Sequence, residues 1–140
     1  MPKLTNCRTK VDDLELYEGL LSLDDSAWMS SCCVIQDKAG ESVPLTINRA
    51  QMIVMRVINK LRSLDVPVRL IVLKARQEGI STLGLGLGFC RANKRSNHNF
   101  LMAAHKKDAA VELFKKVRRF QDHMRLDMKL PERTTSRTEV

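Results

Sequence analysis

The sequence predicts an α/β fold: an incomplete parallel sheet with flanking helices, preceded by a small region of helix and hairpin. Three observations carry this prediction. Leu70–Leu73 form a short, unbroken apolar run, the pattern of a strand buried on both faces as in parallel sheets. A glycine-bearing loop follows, and Ser81–Thr82 then open a segment of helical character. A second apolar stretch, Asn99–Ala104, precedes another helical segment, so strand and helix alternate.

Taken in order, Val11–Leu23 is acidic and amphipathic, with Leu14, Leu16, Leu20, Leu21 and Leu23, and reads as a short helix. Asp24–Ser26 offer a cap for a second helical turn through Trp28. Val34–Gln36, the turn DKAGES and Val43–Leu45 read as a small hairpin. Asn48 caps a helix running through Gln51 to about Leu64, with Met52, Met55, Ile58 and Leu61 on its apolar face. Asp65–Pro67 break it. A strand over Val68–Leu73, a loop, a helix over Ser81–Asn93, a strand over Asn99–Ala104 and a helix over Lys106–Arg125 complete the ordered part. The domain reading is a lead-in over residues 1–46, a partial core over 47–128 and a polar tail over 129–140.

Strand, loop and helix in this order, VRLIVLKARQEGIST, form the layout of a nucleoside triphosphate site. Backbone N–H groups at a helix N-terminus present partial positive charge to phosphate oxygens, and a hydroxyl there can hold Mg²⁺. The fit to G-x-x-x-x-G-K-[ST] is imperfect. With Gly79 as the second glycine, Ser81 takes the magnesium position, Ile80 stands where the lysine belongs, and the first glycine falls at Lys74. Lys74 has a long, flexible stem that can swing onto the phosphates, and Arg76 is a second cation. The plainer alternative is a strand–turn–helix corner in which Gly79 only relieves the backbone.

The string LKARQEGIST resembles the variant phosphate loop of large terminase subunits, the ATPase-nuclease motors that package DNA into tailed phage and herpesvirus-like capsids. PLTINRAQMIVM resembles that family's adenine-side segment, with Gln51 at the matching glutamine, and NFLMAAHKKDAAVELFKKV its second strand and following helix. The likeness runs from about Val34 to the C-terminus. It implies an incomplete P-loop NTPase-type sheet, with ATP and Mg²⁺ as cofactors. Gly79, Ser81 and Thr82 would contact phosphate, Ser81 closest to Mg²⁺; Lys74 would be the displaced phosphate lysine, Arg76 a phosphate or sensor cation, and Gln51 the adenine reader. Gln77 and Glu78 line the loop without an assigned role. The implied function is an ATPase driving translocation of double-stranded DNA. Its partners would be the remainder of the motor, a small terminase subunit and a portal, in the cytoplasm of a bacterial host, encoded by a phage or prophage.

No apolar run ending in paired acids follows Thr82, and Asp127, Glu132 and Glu139 follow no hydrophobic strand. No acidic cluster of a two-metal nuclease stands out either. The resemblance therefore covers the first part of an ATPase domain, as in a truncated, split or interrupted gene product, with TTSRTEV resembling the lead-in to a further strand. Hydrolysis by this chain alone is not expected, because positioning and charge without a placed base or water-orienting residue leave most of the rate enhancement unrealised. Two parallel strands also leave sheet and helix surface bare, so marginal stability or association with a partner is expected.

Residues 1–90 hold 11 basic and 10 acidic side chains, whereas residues 91–140 hold 13 and 6, so nearly all of the net +8 charge is C-terminal. Arg91, Lys94 and Arg95 close one helix; Lys106, Lys107, Lys115, Lys116, Arg118 and Arg119 decorate the next. Such a face is either solvated or tracks nucleic-acid phosphates. Aromatic residues make up 4% of the chain, too few for base-stacking platforms. A basic nucleic-acid-binding protein without enzymatic activity, or an inactive gene remnant, is the alternative function; a helicase-type motor is a further one.

No apolar run approaches the roughly 20 residues of a membrane span, and MPKLTNCRTK lacks a signal-peptide core, so no membrane partner is expected. Cys7, Cys32, Cys33 and Cys90 show no metal-ligand spacing and read as buried or half-buried thiols; His98, His105 and His123 are scattered. Gly84, Gly86 and Gly88 spell G-x-G-x-G, but inside a helix rather than in the turn before it. They point to close helix packing against the sheet, with Gly84 and Gly88 sharing the face, and not to a dinucleotide.

Overall fold

The computed structural model describes residues 18–19, 22–95 and 97–124. Of the helix expected over Val11–Leu23, the described residues 18, 19 and 22 are helical, Leu23 is a bend, and the others lie outside the described residues, as do the tail over 129–140 and Asp127, Glu132 and Glu139. Helix α1 spans Asp25–Cys32. Its N-cap Asp24 accepts a 2.8 Å hydrogen bond from the Ala27 N–H, which satisfies one of the donors a helix start leaves open. The helix continues past Trp28 because Trp28, Met29 and Cys32 all find buried positions. Strands β1 (Val34–Gln36) and β2 (Ser42–Pro44) pair antiparallel, with Ile35 opposite Val43. Asp37 closes the hairpin by accepting from the Ala39 and Glu41 N–H groups, and Gly40 takes the positive φ of 89° that the turn requires.

Helix α2 covers Arg49–Ser63. Its buried stripe is Gln51, Met55 and Ile58; Met52, expected to face the core, is 44% exposed. Asp65, at φ 55°, turns the chain away from the helix end, and the Val66 N–H bonds back to the Leu61 carbonyl. Helix α3 runs Ile80–Lys94 and α4 runs Lys107–His123. The core lies among the helices and the hairpin: Trp28, Met29, Leu45, Leu83, Leu85 and Phe120 are almost wholly buried. Phe89 links Trp28 and Phe120, with tilted rings at centroid distances of 6.0 and 5.7 Å.

The expected parallel sheet is not formed. Among the described residues the hairpin is the sole ladder, and the fold is mostly helical. Residues 66–75 and 98–104 carry neither strand. Ile71, Leu73 and Leu101 are more than nine-tenths exposed, and Leu70 and Val72 about two-fifths. The physical reason is non-local. A strand exists only with a neighbour at about 4.8 Å, and a run buried on both faces needs a layer on each side. Here α3 packs against α1, α2 and α4 instead of against a sheet. The fold is therefore not the parallel, P-loop NTPase-type sheet that the apolar runs and the resemblance implied.

The glycines of α3 also differ from expectation. A Cβ at Gly86 would meet Met29 Sδ at 2.8 Å and Leu45 Cδ2 at 3.0 Å, and one at Gly88 would strike the Phe100 ring at 2.3 Å. A Cβ at Gly84 meets nothing within 4 Å. Close packing thus uses Gly86 and Gly88, against a helix, a loop and Phe100. Gly84→Ala is expected to stabilise the chain by up to about 1 kcal/mol through helix propensity. Gly86→Ala is expected to cost about 1–2 kcal/mol, overpacking outweighing propensity. Urea melts of the two variants should move in opposite directions.

Candidate phosphate-binding site

The loop before α3 is shaped by backbone conformation and by two side chains of α2. Gln77 and Gly79 both have positive φ, 66° and 69°, a combination that turns the chain sharply into the helix. Gly79 is the N-cap of α3, and no side chain caps that helix. The amide groups of its first turn therefore carry the full positive end of the helix dipole without a side-chain acceptor. Thr82 is half-buried, whereas Ser81 is exposed beside the loop.

The loop is anchored by the start of α2. Asn48 Oδ1 accepts from the Gln51 N–H and Gln51 Oε1 accepts from the Asn48 N–H, each at 2.9 Å, a reciprocal capping box. The remaining donors of the same two side chains cross to the loop. Gln51 Nε2 donates to the Gly79 carbonyl at 2.8 Å, and Asn48 Nδ2 to the Glu78 carbonyl at 3.2 Å. Gln51 is 3% exposed. Its carboxamide is engaged at both ends, so in this arrangement it positions the loop rather than facing solvent. The resemblance brought Gln51 to notice as an adenine reader; the geometry joins it directly to Gly79.

Lys74 and Arg76 are exposed, and the Lys74 ammonium makes a long contact, 3.4 Å, with the neighbouring Ala75 carbonyl. Both cations are on the loop and accessible. Gly79, Ile80, Ser81 and Thr82 lie in one turn, and Gln51 touches it. One cation escaped the sequence reading as a site residue. Lys116 of α4 brings its Nζ to 3.4 Å from Thr82 Oγ1. In the sequence it was one basic residue on a basic face, and nothing local marked it.

A second charged cluster pins the helices together. Asp25, at the start of α1, receives Arg62 of α2 at 2.6 Å, and Arg91 and Lys94 of α3 at 3.4 and 3.6 Å. Burial alone would raise the Asp25 carboxyl, but the Arg62 hydrogen bond and the charges of Arg91, Arg62 and Lys94 outweigh it and hold it below its ordinary value of 3.8. Beside it, burial first and then the Asp25 charge push the Cys90 thiol up to about 12. Burial likewise raises Cys32 and Cys33. These are protonated, inert core thiols at neutral pH. Among the described residues no three His, Cys, Asp or Glu side chains gather to hold a metal ion, and no helix is long and apolar enough to cross a membrane. Comparison with protein-family models, curated proteins and solved structures finds no match to this chain.

Proposed function

We propose that this chain binds a Mg²⁺–nucleoside triphosphate through the loop over 74–82, as part of a terminase-like motor that moves double-stranded DNA. The observation that carries the reading is the clamped, left-handed Gly79 turn leading into a helix start that no side chain caps. Phosphate oxygens suit a helix start of this kind because its first-turn N–H groups lack intrahelical acceptors and its dipole favours anions. The residues offer what the ligand needs: main-chain donors from Ile80 onward, a hydroxyl on the exposed Ser81 for the metal, and exposed, long-stemmed cations at Lys74 and Arg76 earlier in the loop. Bound Mg²⁺ would bridge phosphate oxygens and neutralise their charge. Gln51 and Asn48 hold the loop in its receptive shape; in this reading their task is orientation. The loop does not require a parallel sheet behind it, since its geometry is set by α2 and α3.

A second reading, binding to nucleic acid without enzymatic activity, is favoured by α4, whose Lys107, Lys115 and Arg118 are exposed. It predicts DNA affinity that falls steeply with salt and ignores nucleotide. Calorimetric titration of Mg-ATP separates the two. The proposal expects saturable binding by the wild type, weakened about tenfold or more in Lys74→Ala and in Ser81→Ala as charged hydrogen bonds are lost. No heat of binding with a folded wild-type chain would reduce the loop to a structural corner.

A further inference from the structure

Thr82, in the first turn of α3, faces α4 across a small cavity of about 90 Å³. Its polar lining is Thr82, Lys116, Arg119 and Gln36; Ile35 and the fully buried Phe120 are among its apolar walls. Lys116 Nζ is 3.4 Å from Thr82 Oγ1, a weak contact for an ammonium, and Arg119 donates to Gln36 Oε1 at 3.0 Å. No carboxylate lines the cavity. Among the described residues neither cation makes an ion pair, and Glu112, one turn before Lys116, is held at 2.7 Å by Lys115. Two cations, a hydroxyl and a carboxamide therefore line one space that holds no anion of its own, the charge of Glu112 reaching Lys116 from outside it. A surface lysine and arginine in this position would ordinarily drift into solvent; both are instead half-buried.

We infer that this cavity is a subsite for a single phosphoryl oxyanion, held by Lys116 Nζ, the Arg119 guanidinium and the Thr82 hydroxyl. Its volume is about that of three water molecules, room for one tetrahedral oxyanion and not for a nucleoside. The donors suit that ligand, because ammonium and guanidinium hydrogen bonds to phosphate are charge-assisted. The inference rests on the nucleotide reading in one respect. If the oxyanion is a nucleotide phosphate, Lys116 supplies from α4 the cation that Ile80 cannot supply beside Ser81. If it is free phosphate, the subsite stands without the nucleotide.

The test is titration of inorganic tripolyphosphate, inorganic phosphate and Mg-ATP into the full chain and its variants. Lys116→Met keeps the apolar stem, and Thr82→Val keeps the shape without the hydroxyl. Lys115→Ala makes the same change in net charge one residue away, and thermal melts report folding. The expected result is at least tenfold weaker binding of Mg-ATP and tripolyphosphate to Lys116→Met, a several-fold loss in Thr82→Val, and little change in Lys115→Ala. Should Lys116→Met not fold, Thr82→Val decides by the same ligands. Binding of phosphate or tripolyphosphate with this variant dependence, but none of Mg-ATP, supports the subsite and rejects the nucleotide reading. Mg-ATP binding equally well to wild type and both site variants overturns the subsite and leaves the nucleotide reading intact. If none of the three ligands binds, the subsite is overturned as well.

Discussion

Asp25→Asn is expected to lower the stability of the chain by about 2–4 kcal/mol, a large share of the 5–15 kcal/mol typical of a domain. The carboxylate sits between α1, α2 and α3 and is the shared acceptor for Arg62, Arg91 and Lys94. Removing it leaves three cations facing one another with side chains only 16–27% exposed, where water screens them poorly. The lower end of the range allows for that residual solvent contact. The pH dependence has a definite sign. Because the folded-state carboxyl lies below its ordinary value of 3.8, its stabilisation is present above that pH and is lost as pH falls through the depressed folded value. Urea melts from pH 6 down to pH 2 should show the wild type losing stability below about pH 4 more steeply than Asp25→Asn. Parallel curves for the two proteins would mean the ion cluster contributes little.

Gly79→Val is expected to cost about 2–5 kcal/mol and to abolish nucleotide binding. Two effects add. At φ 69° any β-branched residue is strained by one to two kcal/mol, and the new Cβ would lie 2.7 Å from Gln51 Nε2. Pushing Gln51 aside leaves a buried amide without its acceptor, a further loss of about 1–3 kcal/mol. Gln51→Ala removes the clamp while keeping the glycine, and should weaken binding with a smaller loss of stability. Thermal melts and Mg-ATP titrations of both variants separate loop geometry from loop anchoring. Binding retained in Gly79→Val would show that the left-handed turn is irrelevant to function.

Local signals made much of the helical frame legible. Asn48 as an N-cap residue announced the start of α2, and Asp65–Pro67 announced its end, because caps and breakers act within a few residues. The hairpin around Asp37–Gly40 was readable for the same reason, and β2 begins one residue before the expected Val43. The sheet was not readable. Leu70–Leu73 and Asn99–Ala104 carry the composition of strands, but a ladder is a relation between distant segments, and no neighbour pairs with either here. On the apolar face of α2, Met55 and Ile58 are buried as expected, but in the first turn tertiary packing turned Gln51 inward and left Met52 at the surface.

The candidate site was half legible. The loop and Ser81 follow from glycine and hydroxyl spacing, and a resemblance to terminase loops drew attention to Lys74, Arg76 and Gln51. The clamp from Gln51 to Gly79 spans 28 residues, and the approach of Lys116 to Thr82 spans 34. Neither leaves a pattern in a single sequence. Asp25 meets partners 37 and 66 residues away, so it read only as part of a capping signal. Charge counting located the basic segment over 91–140 without distinguishing Lys116, which faces the first turn of α3, from Lys115, which faces Glu112.

The most direct test of the phosphate-loop assignment is an amide-resolved NMR titration of the full chain with Mg-ATP. The largest shifts are expected on the N–H groups of Gly79, Ile80, Ser81 and Thr82, with smaller ones on the Asn48 and Gln51 side-chain amides that hold the turn. Shifts confined to α4 and the exposed segment over 66–73, with the Gly79–Thr82 amides unmoved at saturating nucleotide, would contradict it.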